Sequence, residues 1–256
     1  MNLPSFIALF KLHSTLSASE GVHPDKVISL PGAPLFPEFN LFSGYLNGSS
    51  NDENIPIFYV LAETIRVDPS TAPLVLWFNG GPGGSSLYAL FTEHGPYRVT
   101  EKGDVLTYNE FSWNQYSNVL YLESPLGVGF SRTAMGNITM NDIDTAEINF
   151  HALRDFMTRV HPNYSGRDYY LSGQSYAGAF VPYFARRLLV GIERKEMEND
   201  HFKFIAHCYN QFQSQEFHVP TETISISCYG KHELESFMNR LDVQTALHVS
   251  KVSTET

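Results

Sequence analysis

The chain is short of cysteine and of positive charge, and it has no long hydrophobic run. Two cysteines, Cys208 and Cys228, occur in 256 residues. A disulfide framework is therefore excluded as the source of the fold, which must rest on a hydrophobic core. The two could pair with each other in an oxidising compartment, or stay free in a reducing one. No His/Cys cluster has metal-ligand spacing, and neither a metal nor a cofactor is implied. Lys and Arg total 17 against 27 Asp and Glu, for a formal net charge of -10. Such a chain repels phosphates, which argues against nucleic acid or an anionic membrane as partner. No stretch is long and apolar enough to span a bilayer. Internal repeats and low-complexity segments are absent, and nothing specifies an oligomeric state.

What is present reads as globular. Hydrophobic residues make up 43% and aromatics 14%, enough for a sizeable core in a chain of this length. Leu3 to Phe10 form a short apolar run, with Ala18 among small residues just beyond. Residues 1–19 are thus a candidate secretory signal, although Lys11 and His13 interrupt the pattern. Three sequons begin at Asn47, Asn137 and Asn163. They fit secretory routing, although such triplets also arise by chance.

The hydrophobic pattern predicts alternating strands and helices. Ser43–Ala62 has the form of a hairpin around a polar turn at Asn47–Asn54. Leu74–Phe78 and Val119–Leu122 are apolar throughout, as expected of strands covered on both faces. Ile143, Ala146, Phe150, Leu153, Met157 and Val160 recur at helical spacing, with Asn141 at the start and Pro162 after the end. Tyr169–Leu171 is a short strand, followed by a turn and a helical stretch through Val190. This rhythm predicts a mostly parallel sheet with helices on both faces. It breaks near Gly191. The charged run Glu193–Asp200 reads as a helix end or linker, followed by an aromatic patch at His201–Phe212, an alternating Ile224–Cys228 and one helical segment at Leu234–Val249.

Gly173-Gln174-Ser175-Tyr176-Ala177 sits between a predicted strand and a predicted helix. A tight strand–turn–helix of this kind needs small residues at both ends and lifts the serine hydroxyl clear of the sheet. It places the next backbone N–H, that of Tyr176, where it can face an oxyanion. An ordinary turn would look much the same in isolation. The glycine run Asn79–Gly84 also follows a strand, and Gly81 is the candidate second oxyanion donor. A phosphate-binding loop is disfavoured there, because no Lys follows and there is no Gly-x-Gly-x-x-Gly.

Longer blocks carry a family resemblance. Trp77 to Ser86 with Glu93-His94-Gly95-Pro96, Glu123 to Ser131, and Tyr170 to Gly178 resemble the signatures of serine carboxypeptidases, in family order. Leu30-Pro31-Gly32 and Ser43 to Leu46 also fit, and the likeness runs from about Lys26 to Val190. It implies an α/β-hydrolase core over residues 20–190, with Ser175 as nucleophile and Gly81 and Tyr176 as oxyanion donors. It places Trp77, Asn79 and Glu93 in the network that recognises a substrate's C-terminal carboxylate. Gln174 stands where the family has a Glu paired with the counterpart of Glu93, and Gly84 stands where many members have a disulfide-forming Cys. Implied partners are peptides with a free C-terminal carboxylate, hydrolysed through an acyl-enzyme; the candidate signal and the sequons add the expectation of a secreted, lysosomal or vacuolar location.

Residues 191–256 resemble a remnant of the lid and the helical segment after it, leaving the C-terminal part of the fold incomplete. The triad Asp and His expected beyond are not found. Asp200 and Asp242, with His201, His207, His218, His232 and His248, follow the serine, but none follows a predicted core strand. Asp242 and His248 would lie on one helix without sharing a face. A catalytically silent fragment, and an esterase or acyltransferase using the same nucleophile, remain alternatives.

Overall fold

The computed structural model describes residues 22–34, 39–51, 54–100, 102–132, 138–197, 202–204, 217–219 and 231–250. In chain order these form β1 (Leu41–Asn47), β2 (Pro56–Ala62), β3 (Leu74–Phe78), β4 (Tyr97–Val99), β5 (Leu106–Tyr108), β6 (Asn118–Leu122), β7 (Ile138–Met140), α1 (Asp142–Asp155), β8 (Tyr169–Gly173), α2 (Ala177–Glu193), β9 (Phe202–Phe204), β10 (Phe217–Val219), α3 (Lys231–Met238) and α4 (Leu241–Ala246). Among the described residues the main sheet has the order β1-β2-β6-β3-β8-β9. β1, β2 and β6 pair antiparallel, whereas β6, β3, β8 and β9 run parallel.

The apolar runs become central strands because both sheet faces are covered. Ile57, Tyr59, Leu61, Leu74, Leu76, Phe78, Leu120 and Leu122 pack on one face with α1 and α2. Their neighbours Phe58, Val60, Trp77, Val119 and Tyr121 pack on the other with Leu87, Phe91, Leu234, Phe237, Val243 and Leu247. This is the period-two alternation of a pleated strand with an apolar residue in every slot. Phe150, Phe156, Phe180 and Phe184 are fully buried between the helices and the sheet. Each stabilises the layer by roughly 2–3 kcal/mol.

α1 starts where its cap predicts: Asn141 Oδ1 accepts the Asp144 N–H at 2.8 Å. Ala146, Phe150, Leu153, Met157 and Val160 are buried as expected, but Ile143 is 61% exposed. At the first turn of the helix it is Asp142 that is buried, and helical spacing alone does not explain the exchange, since Ile143 is seven residues before the buried Phe150. The helix widens into a π turn at Phe156–Val160 before Pro162.

Two further expectations change. Gly191 does not end the helical rhythm, since α2 continues to Glu193. A Cβ there would sit 2.3 Å from the Phe150 ring, so this glycine lets α1 and α2 approach closely. Arg187 lies over the same ring and bridges Glu147 and Glu196, which ties down the start of the charged run. The helix expected over Leu234–Val249 is two helices broken at Asn239-Arg240. The break turns α4 so that Val243 and Leu247 reach the core beside Phe237, which one straight helix would not allow. Residues 1–19, Asn137, His201, His207, Cys208, Cys228 and the Ile224–Cys228 segment lie outside the described residues.

Candidate active site

β3 and β8 are parallel neighbours, so the loops after Phe78 and Gly173 emerge at the same sheet edge. Open α/β sheets bind ligands at the carboxyl ends of their strands. After β8 the chain turns through Gln174-Ser175-Tyr176 into α2. Ser175 has φ +55° and is exposed. A non-glycine residue held in that region is strained, and such strain concentrates at functional sites. The small flanking residues have a steric cause. A Cβ on Gly173 would lie 2.5 Å from the Phe78 carbonyl and 2.6 Å from Ala177 Cβ.

The glycine loop presses directly on this turn. A Cβ on Gly80 would lie 2.5 Å from Tyr176 N, 2.7 Å from the Gln174 carbonyl and 2.9 Å from Ser175 Cβ. Gly81, at φ +116°, follows immediately. The two candidate oxyanion donors are therefore carried by backbone segments in contact.

The other predicted residues gather at the same edge. Trp77 Nε1 donates to Asn79 Oδ1 at 2.6 Å. Since the indole N–H can only donate, this fixes the amide and leaves Asn79 Nδ2 as its remaining donor. Gln174 Nε2 donates to both Glu93 carboxylate oxygens, at 2.9 and 3.2 Å. The Glu93 carbonyl accepts from Arg98 Nη2 and Asn109 Nδ2, which holds the end of its π turn. Asn79, Gly81, Glu93, Gln174 and Ser175 line one cleft of about 760 Å³. Trp77 stands behind it, against His94 and Trp113.

Some cleft residues had no role from sequence. Leu234, Glu235 and Met238 of α3, with Asn239 just after it, supply a wall. Glu123 is fully buried at the end of β6. Its carboxyl accepts from the Ser85 hydroxyl and the Phe130 N–H, and so joins the glycine loop to the Gly127–Phe130 turn. Burial pushes it up to about 7, against the pull of those two donors and of Arg132. The signal was a Glu directly after the all-apolar run Val119–Leu122, the place where a charge is hardest to bury. Arg132 also lines the cleft.

No histidine is among the described residues that line this cleft. His248 Nδ1 donates to the Ser43 carbonyl at 2.9 Å, while Asp242 pairs with Arg240 at 2.7 Å. His232 is exposed on α3, and His218 lies in β10 opposite Thr139. Away from the cleft, His23, Asp25 and His161 bring ligand-type atoms within 4.8 Å of one another, a grouping that sequence spacing did not reveal. The two imidazoles are stacked 4.5 Å apart and only 5° from parallel. His23 Nε2 donates to the Val160 carbonyl and its Nδ1 accepts the Asp25 N–H. Parallel rings with nitrogens so engaged do not converge on one ion. The Tyr59 hydroxyl links Asp25 and His161 at 2.6 and 2.9 Å, which pins the N-terminal segment to the sheet.

Of the predicted glycosylation positions, Asn163 is exposed. Asn47 is half-buried, and its Oδ1 accepts from the Ser49 and Ile55 N–H groups to close the hairpin turn. No helix among the described residues is long and apolar enough to cross a membrane.

Comparison with known proteins agrees with this geometry. A family model described as serine carboxypeptidase matches residues 31–206. A Caenorhabditis elegans protein, serine carboxypeptidase ctsa-4.1, is 45% identical over 182 residues, covering 71% of this chain and 37% of the relative. The mouse lysosomal protective protein is 44% identical over 161 residues, covering 63% and 33%. The crystal structure of the Saccharomyces cerevisiae prohormone-processing carboxypeptidase Kex1(delta)p superposes with a TM-score of 0.61 at 28% identity, covering 70% of this chain and 41% of that one. The chain thus spans roughly a third to two-fifths of the length of these relatives. Its fold is that of an α/β-hydrolase, with a mostly parallel central sheet and flanking helices. On the match across 31–206, the chain belongs to the serine carboxypeptidase family.

Proposed function

We propose that this chain supplies the nucleophile and the carboxylate-recognition site of a serine-type carboxypeptidase. The observation that carries the proposal is the convergence of Ser175, at positive φ, with Asn79, Glu93 and Gln174 in one cleft. In this mechanism Ser175 Oγ attacks the carbonyl of the last peptide bond and a base takes its proton. The N–H groups of Gly81 and Tyr176 receive the developing oxyanion. Asn79 Nδ2, oriented by Trp77, donates to the substrate's terminal carboxylate. Gln174 holds Glu93 without adding a second negative charge, much as a protonated Glu would.

Blocked dipeptides with a free C-terminal carboxylate are expected to bind about tenfold more tightly than their amides, as fits one charge-assisted hydrogen bond. Gln174→Glu is expected to leave that affinity nearly unchanged at pH 5 and to weaken it about tenfold at pH 7.5, where two adjacent carboxylates would both face ionisation. Titration calorimetry at the two pH values measures both effects. Equal binding of acids and amides would overturn the proposal. Equal pH profiles for the two forms would remove the role given to Gln174.

Routing through the secretory pathway is part of the same proposal, supported by the N-terminal apolar run and by the exposed sequon at Asn163. Expression in a secreting eukaryotic cell should give a protein whose mass drops on glycosidase treatment. An unmodified protein that keeps its first residues would count against it.

A further inference from the structure

We infer that Arg132 makes this cleft selective for peptides with an acidic side chain beside the scissile bond. The inference rests on the carboxypeptidase proposal for the kind of ligand, and on separate observations for the selectivity. Arg132 is the one Lys or Arg among the described residues that line the cleft with Ser175. Its Nε donates to the Gly129 carbonyl at 2.7 Å, which fixes the root of the guanidinium on the Gly127–Phe130 turn. Among the described residues, no carboxylate lies within ion-pair distance of it. The remaining N–H groups of the guanidinium form a fork suited to a carboxylate.

The acidic groups of the cleft do not take that place. Glu93 is held by Gln174. Glu123 is enclosed by Ser85 and Phe130, close enough for the Arg132 charge to influence it but turned to those two donors. Glu235 is on the α3 wall. A substrate side chain that enters the cleft lined by Ser175 therefore meets, among the described lining residues, one cation without a carboxylate partner. An Asp or Glu side chain can pair with it, whereas a Lys or Arg side chain is repelled.

The test uses the full chain and four blocked dipeptides ending in Glu, Gln, Glu-amide and Lys, with affinities read by fluorescence anisotropy or calorimetry. The Glu peptide should bind about tenfold more tightly than the Gln peptide, with the advantage falling as salt is raised. Arg132→Gln should abolish the difference, and Arg132→Lys should retain part of it. Equal affinity for the Glu and Gln peptides, at any strength, overturns the inference, as does tighter binding of the Lys peptide. So does an unchanged preference in Arg132→Gln. If Arg132→Gln does not fold, the Glu-to-Gln ratio of the unmodified chain, its salt dependence and the Arg132→Lys variant decide. Comparison of the Glu peptide with its amide tests terminal-carboxylate recognition separately. Loss of that contrast with the Glu-to-Gln preference intact would strike at the carboxypeptidase proposal and leave the role of Arg132 standing.

Discussion

Incubated with a blocked dipeptide, the purified 256-residue polypeptide is expected to release the C-terminal residue at least roughly 10⁴-fold more slowly than a carboxypeptidase with a complete triad. Ser175→Ala should lower that small rate little further. A serine hydroxyl is a weak nucleophile near neutral pH until a base accepts its proton. Ser175 is exposed at the tip of its turn, but the described residues that share its cleft include no histidine. His248 donates to the Ser43 carbonyl, and Asp242 is paired with Arg240. His94 lies behind Trp77 and is stacked on Trp113. Oxyanion donors and binding groups alone leave a remnant of catalysis over water. The measurement is product release by chromatography, with a fluorophosphonate label to report an activated serine. Rapid turnover abolished by Ser175→Ala would overturn the expectation, and would direct the search for the base to His201, His207, His218 or a partner chain.

The second large effect is on stability against pH, where buried groups of opposite sense compete. Burial pushes His94 down to about 4. Burial does the same to His161, and the stacked His23 adds to it, giving about 3. Unfolded imidazoles take up protons near 6.5, whereas these two in the folded state do not. Their stability contribution is therefore complete above pH 6.5 and is lost as pH falls towards 4 and 3. At pH 5 the two together cost on the order of 4 kcal/mol. Glu123 works the other way. Its carboxyl is raised to about 7 from 4.5, so its contribution is complete below pH 4.5 and is lost as pH rises through 7. Between pH 7 and 5 it returns roughly 2 kcal/mol.

The unmodified protein should accordingly lose only about 1–2 kcal/mol from pH 7 to pH 5, and Glu123→Gln should lose about 4. Denaturant unfolding at pH 7.5, 6 and 5 gives the comparison. Parallel pH profiles for the two proteins would show that the Glu123 carboxyl is not perturbed as its burial requires.

The same residues divide what sequence made legible from what it hid. β3 was expected at Leu74–Phe78 and occupies those residues, and β6 extends the expected run by one residue to Asn118. Five apolar residues in a row have few stable destinations other than a strand covered on both sides. The elbow was legible because its constraint is local. The turn between β8 and α2 admits only small residues at Gly173 and Ala177, and the sequence shows them there. The start of α1 at Asn141 was written in the same way, by a side chain that caps its own helix.

Sequence by itself thus determined the central strands, the hairpin, the capped helix and the tight turn that raises Ser175, because each follows from interactions within one short segment. Tertiary structure brought Gln174 to Glu93, 81 residues away, a contact that depends on β3 and β8 being neighbours and that only the family resemblance had anticipated. It buried Asp142 in place of Ile143, because the orientation of α1 on the sheet selects the inward face. It broke the last helical segment, so that α3 walls the cleft while α4 packs against the core. It also stacked His23 on His161 across 138 residues and carried Arg132 into the cleft that Ser175 lines. Contacts between distant segments are fixed by how layers dock and which strands pair, and no local pattern of residue types encodes that choice.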